Sequence, residues 1–248
     1  EEKRIGRTLE SYSKFYENLK KKKRLDFEIL VVLNACRDNT LKVVKSVQKK
    51  HKNIRFLDFV RGGKGFAVVE GFKDTLKRKN SLIGFVDADM ATSPESFYDL
   101  ALKLDGYDGA IASRGLKDSI VTTSFKRKLT NRGFNFLVRI VLHLPYKDTQ
   151  CGAKIFRRGL IEEIVKDIGL TEWAFDIDLL YRINKGGFKI REVPTVWEDK
   201  AGSKIQVIKS TIQMIASIIR LRLMYSPFKT VVRAYDRLLP EQIKIHSW

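Results

Sequence analysis

Three short apolar segments alternate with amphipathic segments in the first part of the chain, and this alternation restricts the fold more than any other feature. The apolar segments are residues 27–33, 54–59 and 82–86, and the residues between them place apolar side chains at helical spacing. Apolar runs of this length are typical of buried strands. Strands that alternate with helices in this way favour a parallel sheet covered on both faces. The sequence therefore predicts an α/β fold with a doubly wound, mostly parallel sheet.

The alternation continues less regularly in the second half of the chain. A last helix is predicted to end before Pro227, because proline cannot continue a helix. We divide the chain into an α/β domain of residues 1–204 and a C-terminal amphipathic helical extension of residues 205–248. The other expected elements are helices over 1–24, 94–104, 125–144, 173–184 and 205–225, strands over 108–113, 153–156 and 188–193, and loops over 116–123 and 198–204.

Polar side chains stand at the ends of the predicted strands, where open α/β sheets bind their ligands. Asp87 and Asp89 follow the third apolar segment and lie one residue apart. Paired carboxylates suit Mg²⁺, which typically takes one or two carboxylates together with phosphate oxygens. An isolated Asp-x-Asp is more often a solvated turn, so the pair needs support from other motifs.

A glycine-rich turn, Arg61-Gly-Gly-Lys-Gly65, provides that support. It lies between a predicted strand and a predicted helix, where backbone N–H groups and the helix N-terminus favour an anion. The spacing is not that of a Walker A motif, and the glycines alone could simply permit a tight turn. Beside the Asp pair, however, Lys64 and a cation could neutralise the charge of a departing nucleotide diphosphate.

The formal net charge of +19 predicts attraction to nucleic acid, an anionic membrane face or a phosphorylated substrate. Nucleic acid is not expected as a partner, because the chain lacks basic residues interleaved with aromatic ones and a recognisable reading helix. The two cysteines and three histidines have no metal-ligand spacing. They therefore argue against structural zinc and a disulfide framework, and favour a reducing compartment.

Taken together, the motifs resemble family 2 glycosyltransferases of the GT-A fold. Residues 31–40, Val-Val-Leu-Asn-Ala-Cys-Arg-Asp-Asn-Thr, are similar to the family's Val-Val-Asp-Asp-Gly-Ser-x-Asp-x-Thr segment. Gly63-Lys-Gly65, Asp87-Ala-Asp89 and the turn at 148–152 follow in the family's order. Residues 148–156, 173–176 and 192–204 look like the dolichyl-phosphate (polyprenyl-phosphate) β-glucosyltransferase branch, rather than the related mannosyltransferases.

The resemblance implies a role for each candidate residue. Asp87 and Asp89 would hold Mg²⁺ or Mn²⁺, and Asp89, Arg114 and Arg127 would act in catalysis. Asp176 and Asp178 are candidate ligands of the sugar hydroxyls, or else polar residues on the exposed face of a helix. The residues expected at the nucleotide sugar are Glu1, Asn34, Lys64, Asp87 and Asp176, and those expected at the acceptor phosphate are Arg114, Lys126, Arg127, Lys200 and Ser203.

Three departures from the family pattern accompany the resemblance. The family's first strand, which ends in Pro-x-Tyr-Asn-Glu, has no counterpart in this chain except Glu1 or Glu2. Leu33-Asn34 stands where the family has an Asp-Asp pair. Lys200 stands where many relatives have arginine, and lysine cannot make the bidentate contact of a guanidinium with phosphate.

The implied reaction transfers a hexose, glucose from UDP-glucose, to polyprenyl or dolichyl phosphate with inversion. A phosphate monoester has a second pKa of about 6, so the acceptor is a nucleophile at neutral pH without a strong general base. The alternatives are a mannosyltransferase that uses GDP-mannose, a glycosyltransferase with a soluble acceptor, and a degenerate domain without activity.

A membrane surface is a further expected partner. Basic residues at 126–132 precede the apolar run 134–142, and residues 205–225 repeat this combination. Helices of this kind either lie in a membrane interface or pack on their own domain. We expect a protein peripheral to the cytosolic face of a membrane.

Overall fold

The computed structural model describes residues 1–168, 174–199, 215, 218–227 and 230. Residues 218–224 are also helical. The named helices are α1 (Ile5–Lys21), α2 (Thr40–Lys50), α3 (Lys64–Thr75), α4 (Pro94–Leu102), α5 (Phe125–Leu142), α6 (Arg158–Ile164) and α7 (Phe175–Lys185). The strands are β1 (Ile29–Asn34), β2 (Ile54–Phe59), β3 (Leu82–Phe85), β4 (Gly109–Ser113), β5 (Ile120–Thr122), β6 (Lys154–Arg157), β7 (Ile190–Pro194) and β8 (Val196–Glu198).

The strands form three groups. β1 and β2 pair in parallel, β3-β6-β4-β7 form a four-stranded sheet, and β5 pairs with β8 in parallel. β6 is antiparallel to both of its neighbours, whereas β4 and β7 are parallel. Among the described strands, β1 and β3 do not pair, so the sheet is split between them. Helix α3 contacts both β1 and β3 and spans this split.

Local signals explain where two important helices begin. The Ser93 hydroxyl accepts a hydrogen bond from the backbone N–H of Ser96, and Pro94 opens α4. The Ser124 hydroxyl accepts one from the backbone N–H of Arg127 at the start of α5. Each serine satisfies a helix N–H group that has no partner within the helix.

Three apolar clusters hold the elements together. The largest joins α3, α5, α6 and α7 to the four-stranded sheet, and includes Phe72, Phe156 and Phe175. A second lies between α4 and the same sheet and includes Trp197. The third joins α1 and α2 to the β1–β2 pair. The helices and strands that carry the predicted site residues are therefore packed by apolar clusters on both sides of the split.

The expected elements are largely confirmed, with boundaries shifted by a few residues. The predicted loop 116–123 is wrong in part, because it contains β5, whose strand partner β8 lies 76 residues away (Ile120↔Val196). Helix α6 was not predicted, since it follows β6 without an intervening loop. The predicted helix 205–225 and the extension 205–248 fall mostly outside the described residues. No helix in the described part of the chain is long and apolar enough to span a membrane.

Candidate active site

A row of alternating charges lies where β3, α3, β6 and α7 meet. The Lys64 ammonium lies 3.0 Å from Asp87 Oδ1 and 3.2 Å from Asp176 Oδ2. The Lys154 ammonium lies 2.6 Å from Asp176 Oδ1. The order Asp87–Lys64–Asp176–Lys154 thus joins both sides of the split sheet by ion pairs.

The row runs from solvent into the core. The Asp87 side chain is 45% exposed, whereas Asp176 is 7% exposed and Lys154 is fully buried. Burial alone would raise the pKa of Asp176, but the ammonium groups of Lys154 and Lys64 lower that pKa overall. Burial would lower the pKa of Lys64, but the charges of Asp176 and Asp87 raise it overall. Asp176 and Lys64, at the centre of the row, are therefore both charged at neutral pH.

Helix α1 holds the loop that carries Asp87 and Asp89. The Thr8 hydroxyl donates a hydrogen bond to the Ala88 carbonyl, and the Tyr12 hydroxyl donates one to the Thr92 carbonyl. Asp89 Oδ1 accepts a hydrogen bond of 3.0 Å from the backbone N–H of Ala91. These bonds fix the backbone on both sides of the two carboxylates.

The two carboxylates fit a hard divalent cation by the chemistry of their donor atoms, since Mg²⁺ and Mn²⁺ prefer oxygen ligands. The contact with the Lys64 ammonium shows that Asp87 faces a cationic group. No group of three or more histidine, cysteine or acidic residues suited to a metal occurs in the described part of the chain. A cation at Asp87 and Asp89 would therefore take further ligands from substrate or water.

A second cluster surrounds Trp197. The Arg114 guanidinium binds Asp148 through two contacts, of 2.7 Å and 2.9 Å. Arg127 binds both carboxylate oxygens of Asp199, at 2.7 Å and 2.8 Å. The two guanidinium carbons lie 5.0 Å and 5.8 Å from the centre of the Trp197 ring, within the range of cation–π attraction.

The two arginines of this cluster differ in access to solvent. The Arg114 side chain is 14% exposed and its partner Asp148 is 3% exposed, whereas Arg127 is 36% exposed. Burial would raise the pKa of Asp148, but Arg114 lowers it overall. Arg114 is thus committed to a buried ion pair, and Arg127 is the more accessible of the two.

The remaining predicted residues divide into three groups. Asn34 donates a hydrogen bond to the Gly63 carbonyl and so fixes the turn before Lys64. The backbone ammonium of Glu1 binds the Asp38 carboxylate just beyond β1. Lys126 is exposed at the start of α5. Lys200 and Ser203 lie outside the described residues. The predicted roles of all these residues stay predictions.

The alternative that Asp176 and Asp178 lie on an exposed helix face is wrong. Asp176 is 7% exposed and Asp178 is fully buried, beside the Arg182 guanidinium at 2.9 Å. Periodicity failed here because α7 is buried on nearly every side. A helix buried all round has no polar face to mark its orientation.

Sequence reasoning missed Lys154 and Trp197 as parts of these clusters. Lys154 stands in the apolar stretch Ala153-Lys-Ile-Phe156, and a charge within a buried strand requires a partner. That requirement was the available signal for Lys154. No pattern near Trp197 indicates that two arginines from other elements flank it.

The chain is similar to known proteins over most of its length. Residues 1–165 match the family described as glycosyl transferase family 2. The chain is 34% identical to a dolichyl-phosphate beta-glucosyltransferase of Dictyostelium discoideum over 90% of this chain and 71% of that protein. It is also 34% identical to a dolichyl-phosphate beta-glucosyltransferase of Drosophila melanogaster over 76% of this chain, but only 60% of that protein.

The fold has counterparts among solved structures. One is glucosyl-3-phosphoglycerate synthase from Mycobacterium tuberculosis in complex with Mn²⁺, uridine diphosphate and glucosyl-3-phosphoglycerate. The TM-score is 0.65 at 16% identity, covering 92% of this chain and 78% of that chain. At this identity the likeness establishes the GT-A fold alone. From the family match and the relatives, the chain belongs to glycosyl transferase family 2.

Proposed function

We propose that this protein transfers glucose from UDP-glucose to dolichyl or another polyprenyl phosphate. The observation that carries the proposal is the contact of Lys64 with Asp87 at the strand ends, in a chain 34% identical to a dolichyl-phosphate beta-glucosyltransferase. A lysine and a carboxylate pair side by side suit a nucleotide diphosphate, whose charge must be neutralised as it departs.

The donor would bind along the split between β1 and β3. Asp87 and Asp89 would hold Mg²⁺ or Mn²⁺, which when bound supplies positive charge to the diphosphate. Lys64 supplies a second positive charge, and the N–H groups at the start of α3 face the same anion. Asn34, at the end of β1, keeps the glycine-rich turn in place through its hydrogen bond to the Gly63 carbonyl. Glu1 binds Asp38, which follows the same strand β1.

The acceptor phosphate would bind near Arg127 and Lys126, with Lys200 and Ser203 completing the site. Arg114 contributes by holding Trp197 and Asp148. One oxygen of the lipid phosphate attacks the anomeric carbon while the bond from that carbon to the diphosphate oxygen breaks. The products are glucosyl phosphate lipid and UDP, and the configuration inverts. No proton must be removed, because the acceptor is already ionised.

Helix α5 supports action at a membrane surface. Phe125, Leu129, Phe136 and Ile140 are between 54% and 81% exposed. Their spacing of four, seven and four residues places them on one stripe of the helix. Lys126, Lys128, Arg132 and Arg139 occur in the same helix. We call these four apolar residues the α5 stripe, and we place it against an anionic cytosolic membrane face.

The test is transfer from radiolabelled UDP-glucose to dolichyl phosphate in detergent with Mg²⁺ or Mn²⁺. We expect a chloroform-soluble product, and its loss in Asp89→Asn. Product from GDP-mannose instead of UDP-glucose would replace the glucosyl assignment with the mannosyl alternative. Transfer only to water-soluble phosphates would overturn the lipid acceptor.

A further inference from the structure

We propose that Lys154 is a positioning residue that fixes Asp87 and Lys64 for donor binding, an inference that rests on the proposed donor site. Lys154 is fully buried, in the strand next to β3, and its register partner is Phe85. A buried ammonium is strongly unfavourable unless it is paired and hydrogen-bonded. Its two partners, Asp176 and the Cys151 carbonyl, each lie 2.6 Å away.

The first route from Lys154 to the donor site passes through Asp176. Lys154 binds Oδ1 of Asp176, and Lys64 binds Oδ2 at 3.2 Å. Because each oxygen has its own lysine, the carboxylate cannot rotate without losing a buried contact. Lys64 is thereby held where it also reaches Asp87 at 3.0 Å. Without Lys154, both oxygens of Asp176 would compete for Lys64 and draw it away from Asp87.

The second route passes through the backbone. Lys154 holds the Cys151 carbonyl, and the next residue, Gly152, lies directly against the Asp87 carboxylate. Burial raises the pKa of the Cys151 thiol to about 11, so this residue acts through its carbonyl and not as a thiolate. The Lys154 ammonium therefore fixes the backbone of the Cys151–Gly152 turn, which contacts the Asp87 carboxylate.

The Phe85 ring lies close to both lysines. The ammonium of Lys154 lies 5.4 Å from the ring centre and that of Lys64 lies 5.9 Å from it. Cation–π attraction favours both positions. One ring, one carboxylate and one turn thus connect a fully buried lysine to the donor-binding groups.

The direct test is the affinity of the whole chain for UDP with Mn²⁺, measured by calorimetry. We expect Lys154→Met to weaken this affinity at least tenfold, and to raise the KM for UDP-glucose more than it lowers kcat. The matched control is Lys103→Met, which removes an exposed ion pair with Asp99 and should leave the affinity unchanged. Wild-type affinity in a folded Lys154→Met would overturn the proposal.

A second variant separates positioning from stability, since Lys154→Met leaves a buried carboxylate with one partner fewer. The double variant Lys154→Met/Asp176→Asn removes both charges, and we expect its unfolding midpoint to return towards that of the wild type. UDP affinity should nevertheless stay low, because Lys64 then loses its ion pair with Asp176. Recovery of UDP affinity together with stability would show that Lys154 is only structural.

A third measurement does not depend on the proposed function. In unfolding experiments, the effects of Lys64→Met and Lys154→Met should not add, because both residues share Asp176. Additive effects would overturn the first route even if the chain bound no UDP. Conversely, UDP binding without transfer to dolichyl phosphate would refute the proposed acceptor and leave the role of Lys154 standing.

Discussion

A β-carbon on Gly152 would lie 1.8 Å from Oδ2 of Asp87. No side chain fits at this distance, so the carboxylate rests directly on the backbone of the turn that precedes β6. The position of a proposed metal ligand is therefore set by the absence of a side chain on a residue 65 positions later in the chain.

We expect Gly152→Ala to lower transfer about 100-fold, because displacing a ligand by about 1 Å can have an effect of that size. The measurement is kcat/KM for UDP-glucose with saturating dolichyl phosphate. Gly159→Ala in α6 is the matched control, since a β-carbon there meets nothing within 4 Å. Equal activity of the two variants would contradict the close contact at Asp87.

Arg114 and Arg127 should differ in their effect on stability. Removing Arg114 leaves Asp148 buried and charged, so we expect Arg114→Met to lower the free energy of unfolding by about 3–5 kcal/mol. Arg127 pairs with Asp199 nearer to solvent, so Arg127→Met should lower it by at most about 1 kcal/mol. Urea denaturation of both variants measures the difference, and similar values would refute the distinction between the two ion pairs.

His51 should make stability depend on pH. Its ring nitrogens face Glu17 at 2.7 Å and Glu10 at 3.4 Å, and Lys50 also binds Glu10. The hydrogen bond to Glu17 raises the pKa of His51 above its ordinary value, with a smaller contribution from Glu10. A raised pKa stabilises the fold below the unfolded pKa of about 6.5, and this stabilisation is lost as pH rises through the folded value.

Thermal unfolding at several pH values tests this dependence. As pH rises from about 6 to about 8.5, the Tm of the wild type should decrease more than the Tm of His51→Gln. Lys50, which also binds Glu10, is present in both proteins. Any difference between their curves therefore comes from residue 51. Parallel curves for the two proteins would mean that the His51 contacts do not contribute to the pH dependence.

The α5 stripe should bind vesicles that contain anionic lipid. We expect Leu129→Ser/Phe136→Ser to reduce the bound fraction at least tenfold in sedimentation with such vesicles. The two substitutions remove apolar side chains whose burial contributes to interfacial binding, and they leave the basic residues unchanged. Leu102→Ser in α4 is the matched control, since Leu102 is 61% exposed and lies on another helix. Undiminished binding of the double variant would place the membrane contact elsewhere.

Apolar periodicity predicted most strands and helices, and the ends of the strands indicated Lys64 and Asp87 as neighbours. The structure brings Lys64 and Asp87 together as expected. Local pattern could not reveal that Arg114 is bound by Asp148, 34 residues away. Nor could it show that Asp176 is held between two lysines from other elements. Such partners depend on tertiary packing, which brings together residues that are distant in the sequence.

The split between β1 and β3 has a consequence for local opening of the fold. Because no main-chain hydrogen bonds join these two strands in the described structure, the β1–β2 pair and the four-stranded sheet can separate without breaking a strand pair. A bound nucleotide would bridge the two sides and oppose such opening. Amide hydrogen exchange should therefore slow in β1 and β3 together when UDP and Mn²⁺ bind, as expected for a ligand that closes one cooperative unit.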